Sequence, residues 1–90
     1  MGHTIREKHK LVQRVRRIRG QVEAVERALD AEIGCADVLQ LIASVRGAIN
    51  GLMGEVMEDH IRDHILGAAG ATQRQHGADE LIDVVRAYLK

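Results

Sequence analysis

Three side chains that bind metals well share one face of a predicted helix: Cys35, His60 and His64. At ~100° per residue, His60 and His64 point about 20° to either side of the direction of Cys35. At a rise of ~1.5 Å per residue, however, the stretch from Cys35 to His60 spans on the order of 37 Å. Only a second, antiparallel copy of the helix would bring the thiolate against the imidazoles. The spacing therefore predicts an obligate oligomer with two identical sulfur/nitrogen sites per dimer.

Metal binding competes here with a simpler explanation for the histidines. Side chains at i and i+4, such as His60 and His64, lie on one helix face and can chelate one metal ion. The helix dipole alone also favours histidines near a helix C-terminus. Cys35 on the same face favours the metal interpretation, and His3, near the N-terminal amine, would complete the shell. The two other histidines, interpreted as plain surface residues, are His9 and His76.

The donor set discriminates among metals. One thiolate with several nitrogens is too poor in sulfur to favour Cu(I). Three nitrogens and one sulfur, with the N-terminal amine or water added, suit Co(II) or Ni(II) at five or six coordination. Zn(II) would accept a tetrahedral subset of the same ligands. A hydrolytic enzyme is disfavoured, because no carboxylate is clearly placed as a general base.

Composition predicts one small all-α domain over residues 1–90. The chain has no Phe, Trp or Pro and a single Tyr, so the core must be aliphatic and the helices uninterrupted. Ninety residues bury too little surface for a comfortable monomeric core. A lone cysteine makes no internal disulfide, and no apolar run reaches membrane-spanning length. We therefore expect a cytoplasmic protein that does not contact a membrane.

Charge is distributed unevenly along a chain whose formal net charge is zero. Residues 1–20 carry seven basic side chains against Glu7 alone, so the remaining residues are acidic overall. Such asymmetry favours a nucleic-acid partner for the N-terminal helix over a merely solvated basic face. A helical oligomerisation module with an adventitious metal site is the alternative from another functional class. The candidate DNA-binding residues are Lys10, Arg14, Arg16, Arg17, Arg19 and Arg46.

Apolar spacing predicts three helices. A capping box, Thr4 to Glu7, starts the first, and a seam at steps of four and three follows on one face. The basic residues Lys10, Arg14, Arg16 and Arg17 fall largely outside this seam. Residues 30–34 form a turn, and a second helix over about 35–65 is apolar beyond one stripe. Its glycines, Gly47, Gly51 and Gly54, predict close approach of a neighbouring helix. Residues 67–78 are interpreted as a flexible link before a short third helix over about 78–89. The seam residues of the first helix are Leu11, Val15, Ile18, Val22, Val25 and Leu29.

Three segments together resemble the CsoR/RcnR family. They are the run Arg16–Gln21, the run Arg46–Met53 and the set Cys35, His60 and His64. The resemblance covers essentially the whole chain. It implies an all-helical repressor without a helix-turn-helix motif, built as an antiparallel dimer that assembles into a tetramer. It also implies that the effector-free protein binds operator DNA and that effector binding releases it.

Effector type within the family tracks a few positions. Copper sensors carry a second cysteine where this chain has His64, and formaldehyde sensors typically have proline where it has Gly2. The nickel/cobalt branch has the ligand pattern His3, Cys35, His60 and His64, so the resemblance implies Ni(II) or Co(II) as effector. The runs at 16–19 and 81–90 look closer to the formaldehyde branch. A formaldehyde-responsive repressor using Cys35 and the N-terminal amine is therefore the second interpretation.

Overall fold

The computed structural model describes residues 5–89, with the side chains of residues 5 and 6 left aside. Helix α1 runs over Ile5–Asp30 and α2 over Cys35–His60; a π-helical turn covers Ile61–Leu66, and α3 covers Ala71–Tyr88. No strand occurs in this range, which confirms the all-α prediction. The predicted cap at Thr4 lies outside the described residues. Over residues 5–89 every helix is too short or too polar to cross a membrane.

The described chain divides into two compact units, residues 5–53 and residues 54–89. In the first unit, α1 packs on α2 through a face where Ile18 and Ala28 are only 8% and 7% exposed. The guanidinium group of Arg14 lies against Gly51 of α2. The prediction that Arg14 falls outside the seam was therefore wrong. The buried and half-buried residues of α1 are Leu11, Arg14, Ile18, Gln21, Ala24, Val25 and Ala28.

The predicted seam of α1 splits into a covered and an uncovered half. Val15, Val22 and Leu29 remain 48% to 59% exposed, because the apolar surface of α1 is wider than one neighbouring helix covers. On α2, Leu39, Ile42 and Ile49 are 46% to 60% exposed, and we call these three residues the outer α2 stripe. Large exposed apolar surfaces of this kind mark association sites.

The predicted close approach of a neighbouring helix is not seen at the three glycines in the middle of α2 within one chain. A Cβ atom at Gly51 would meet only the Arg14 guanidinium, the end of a flexible side chain that can move aside. A Cβ atom at Gly47 or Gly54 would meet nothing within 4 Å. The close-approach prediction therefore fails at all three positions for contacts within one chain.

The turn between α1 and α2 ends the first helix with a Schellman motif. The amide of Ile33 donates to the carbonyl of Ala28 at 3.2 Å, and the amide of Glu32 donates to that of Leu29 at 3.1 Å. Glu32 holds φ at 54°, in the left-handed region where glycine is favoured. The two hydrogen bonds fix where α2 begins, at Cys35.

In the second unit the linker is much shorter than predicted. The prediction of a flexible link over 67–78 was wrong, since α3 begins at Ala71. The small and polar residues there include good helix formers, Ala, Gln and Arg, and an amide side chain supports the helix start. Gln73 Oε1 accepts a hydrogen bond from the backbone amide of Ala69 at 3.2 Å. The second helix is also only α-helical to His60, after which the π-helical turn continues it.

Replacing Glu32 by Gly should stabilise the protein. The substitution removes a left-handed penalty of about 1–2 kcal/mol and costs roughly 0.5–1 kcal/mol of backbone entropy. We expect a higher thermal midpoint at one fixed protein concentration. The control Glu26→Gly, at an exposed position inside α1, should lower the midpoint, since glycine within a helix costs about 1 kcal/mol. Equal shifts for both variants would contradict the assignment of strain to Glu32.

Placing a charge in the outer α2 stripe should weaken self-association. Ile49→Glu would put a carboxylate where a second chain must exclude water, which is strongly unfavourable. Sedimentation velocity at micromolar concentration should show smaller species than the wild type. Ser44→Glu is the matched control, because Ser44 is exposed about 140° around the helix from Ile49. A wild type that sediments as a stable monomer would rule out the cross-subunit arrangement.

Candidate effector site

His60 and His64 lie side by side where α2 meets the π-helical turn. His60 is the last residue of α2 and His64 lies within the turn. Their ring centroids are 4.9 Å apart, with the ring planes tilted by 39°. The turn therefore brings together the two imidazoles that the sequence predicted as ligands.

A hydrogen bond from α3 fixes the imidazole of His60. Its Nε2 atom lies 2.8 Å from the carbonyl oxygen of Gly77. A carbonyl oxygen only accepts hydrogen bonds, so Nε2 carries the proton and donates it. In the neutral form of the ring the lone pair is then at Nδ1, so Nδ1 is the nitrogen available to an effector.

A carboxylate of α3 lies near two of the histidines. Glu80 Oε1 is 4.0 Å from Nε2 of His60, and Glu80 Oε2 is 3.6 Å from Nε2 of His76. His76 also lines a cavity of about 540 Å³ together with Asp63 and His64. His76 is 78% exposed, as expected of a surface residue, and pairs with Glu80 one helical turn away. His9 is exposed, with its ring 3.1 Å from the Gln13 amide, as expected of a surface residue.

Ion pairs join the end of α2 to the π-helical turn. The guanidinium of Arg62 lies 3.5 Å from a carboxylate oxygen of Glu58 and 3.8 Å from one of Asp59. The Arg62 and Glu58 side chains are about two-thirds exposed, so solvent screens these pairs. These pairs therefore add little to the stability of the turn.

Cys35 stands at the opposite end of α2 from His60. It is exposed and is the first residue of the helix, as His60 is the last. Within residues 5–89 no three Cys, His, Asp or Glu side chains are grouped closely enough to hold a metal ion. A single chain thus contributes the histidine pair and the thiol separately. The fourth predicted ligand, His3, lies outside the described residues.

The candidate DNA-binding residues differ in how far they reach into solvent. Arg14 is half-buried against Gly51, so its guanidinium also belongs to the packing of α1 on α2. The other five are exposed on the two helices: Lys10, Arg16, Arg17, Arg19 and Arg46.

Sequence reasoning missed the contribution of α3 to the site. Gly77 and Glu80 contact the histidine pair, yet both fell in or beside the segment interpreted as a flexible link. The sequence offers one signal, at Gly77, that becomes recognisable once position 77 is known to be helical. A lone glycine within a helical stretch often has a packing reason, and Gly77 is the one buried residue of α3.

Comparisons with known proteins agree on one family. The model of the metal-sensitive transcriptional repressors matches residues 7–87. The chain is 44% identical to the transcriptional repressor RcnR of Salmonella typhimurium over 90 residues, covering all of both chains. It is 54% identical over 92 residues, again with full coverage of both, to an uncharacterized protein of the bioA 5' region in Serratia marcescens.

Two solved structures have the same fold. A Glu-to-His variant of the Formaldehyde-Responsive Regulator FrmR from Salmonella enterica serovar Typhimurium superposes with a TM-score of 0.88 at 47% identity, covering 96% of this chain and 98% of that one. The copper-sensing repressor CsoR with Cu(I) from Geobacillus thermodenitrificans gives a TM-score of 0.92 at 24% identity, covering 100% and 94%. At that identity the second likeness shows the fold alone.

Proposed function

The chain belongs to the CsoR/RcnR family of metal-sensitive transcriptional repressors, whose members are not enzymes, and we propose that Ni(II) or Co(II) releases it from operator DNA. The observation that carries this proposal is the His60 and His64 pair, with ring centroids 4.9 Å apart. Two adjacent imidazoles suit these metals, and the full-length likeness to RcnR supports the same branch.

The complete site forms between two chains. Cys35 of one chain meets His60 and His64 of an antiparallel partner, because the thiol and the imidazoles occupy opposite ends of α2. The exposed outer α2 stripe supports this pairing, since it supplies the apolar surface along which a second α2 packs. Two such dimers form the tetramer that the family resemblance implies.

The residues present fit a nitrogen-rich metal site. Nδ1 of His60 is available because Nε2 donates to the Gly77 carbonyl at 2.8 Å. A backbone carbonyl in this position is a common outer partner of a metal-binding histidine, where it fixes the ring and its tautomer. Cys35 must lose its proton to bind. His3 adds the nitrogen that separates Ni(II) and Co(II) from Zn(II), which accepts a smaller tetrahedral set.

DNA contacts the basic surface of the first two helices. The exposed residues Arg16, Arg17 and Arg19 are suited to phosphate contacts, and Lys10 and Arg46 are two further exposed cations on these helices. Because the family has no helix-turn-helix element, counterion release dominates affinity and DNA shape contributes to sequence preference. Recruitment of His3 constrains the segment that leads into α1 and so shifts the tetramer away from its DNA-binding state. By linkage, DNA weakens metal binding by the same factor.

A formaldehyde-responsive repressor is the second candidate. The 47% identity to the formaldehyde-responsive regulator and the exposed Cys35 thiol favour it. In that case the N-terminal amine and the thiol condense with one formaldehyde molecule. A methylene group then links nitrogen to sulfur, and the carbonyl oxygen leaves as water.

Removing one phosphate-contacting arginine should flatten the salt dependence of DNA binding. Arg17→Ala should reduce the steepness of log K against log salt concentration by about 0.9 per lost contact. Metal affinity without DNA should stay at the wild-type value. Arg86→Ala, an equal charge loss on α3, is the control and should leave the slope unchanged. Equal slopes for wild type and Arg17→Ala would move the DNA surface elsewhere.

Cys35 and His3 should separate the two candidate effectors. Cys35→Ala should remove the sulfur-to-Co(II) charge-transfer absorption and abolish release from DNA for both effector classes. His3→Ala should leave Zn(II) binding nearly intact, while Ni(II) and Co(II) bind more weakly and no longer release DNA. The measurements are metal titration by absorption and DNA release by fluorescence anisotropy.

The formaldehyde mechanism predicts the reverse pattern for the N-terminus. His3→Ala should then be tolerated, whereas acetylation of the N-terminal amine should abolish the response. Normal release of His3→Ala by Ni(II) and Co(II) would contradict the nickel/cobalt assignment. Wild-type protein released by formaldehyde and by neither metal would establish the second candidate.

A further inference from the structure

We propose that Gly77 is a positioning residue that docks α3 on the π-helical turn and so sets the geometry of the His60 and His64 pair. The proposal rests on the proposed function for its link to an effector, although the docking itself can be measured without one. It concerns the second unit alone, because Gly77, His60 and the turn all lie within residues 54–89.

The first contact is between two backbones. Gly77 is buried, and a Cβ atom added to it would collide with the backbone carbonyl oxygen of His64. The same atom would lie 2.8 Å from the carbonyl carbon and 3.2 Å from Cβ of His64. None of these atoms is the far end of a flexible side chain. A side chain at position 77 therefore requires α3 and the turn to move apart.

The second contact is a hydrogen bond from the neighbouring histidine. The carbonyl oxygen of Gly77 accepts from Nε2 of His60 at 2.8 Å. One residue of α3 thus touches both candidate ligands, His64 through its backbone and His60 through its ring. A shift of Gly77 therefore acts on the backbone of His64 and on the ring of His60 together.

The segment on which α3 packs is the π-helical turn that continues α2. The amide of Gly67 donates to the carbonyl of Arg62 at 2.8 Å, five residues back, which is the hydrogen bond of a π-helix. A Cβ atom at Gly67 would lie 2.8 Å from that carbonyl oxygen. Because α3 packs on the turn over Ile61–Leu66, the docked helix supports this less regular geometry, while Gly67 itself stays exposed. Loss of docking is then expected to make the Gly67 hydrogen bond open more often.

Helix propensity makes the opposite prediction for this position. Gly77 lies inside α3, where alanine would be favoured over glycine by about 1 kcal/mol. If α3 made no specific contact with the turn through Gly77, Gly77→Ala would stabilise the helix. If Gly77 docks α3, the same substitution disrupts the unit. The sign of the effect therefore discriminates between the two roles.

The first experiment uses amide hydrogen exchange on the full-length, effector-free protein. Gly77→Ala should accelerate exchange at the Gly67 amide and along α3 by at least tenfold. Gly20→Ala is the control, because a Cβ at this helix-interior position of α1 meets nothing within 4 Å. It should leave exchange in the second unit unchanged. Exchange in Gly77→Ala that equals or is slower than wild type would overturn the proposal.

The second experiment measures Co(II) affinity by absorption. Loss of an outer partner of a metal-binding histidine typically weakens binding about 10- to 100-fold, and we expect this range for Gly77→Ala. The control should bind as the wild type does. Unchanged affinity in Gly77→Ala would overturn the positioning role. A wild type that does not bind Co(II) would instead count against the proposed function and leave the exchange result standing.

Wild-type protein provides a test that does not depend on folding of the variant. If Gly77 docks α3, the Gly67 amide and the amides of α3 should open as one cooperative unit, with a common opening free energy in native-state exchange. Opening of α3 while the Gly67 amide stays protected would overturn the proposal.

Discussion

The apolar surface of the first two helices is wider than one chain can cover. Where α1 packs on α2, Ile18 and Ala28 are almost completely buried, yet Val22 and the outer α2 stripe stay about half exposed. A protein of ninety residues has little other core to offset that exposure. The width of the two helices thus supports the proposal that a second chain covers this surface.

The candidate ligands at the two ends of α2 differ in how they are held. Cys35 follows a hydrogen-bonded turn directly and is exposed to solvent. His60 is held in one orientation by α3 through the Gly77 carbonyl. An oriented imidazole loses little freedom on binding a ligand, whereas an exposed thiol can approach it from another chain. An oriented imidazole at one end and an exposed thiol at the other suit a site that forms only when two chains associate.

The sequence predicted the helical class, the first turn and the proximity of His60 and His64, because apolar spacing and an i, i+4 pair are local features. It did not predict the early start of α3, since small and polar residues such as Thr72 and Gln73 resemble a linker until an amide side chain satisfies the backbone. Nor did it predict the π-helical turn, whose geometry depends on tertiary packing around Gly77. The contact of the Arg14 guanidinium with Gly51 was also not predicted, because the charge of an arginine suggests a solvent-facing side chain.

A π-helical turn contains one residue more than the α-helical turn it replaces. Removing one residue from Ile61–Leu66 would let α2 continue as a regular α-helix. The chain after the turn would keep nearly the same direction about the helix axis, because each kind of turn completes one rotation. Only the spacing of the side chains within the turn, among them His64, would change. A gain or loss of one residue here would thus alter the histidine pair without turning α3 away from the segment on which it packs.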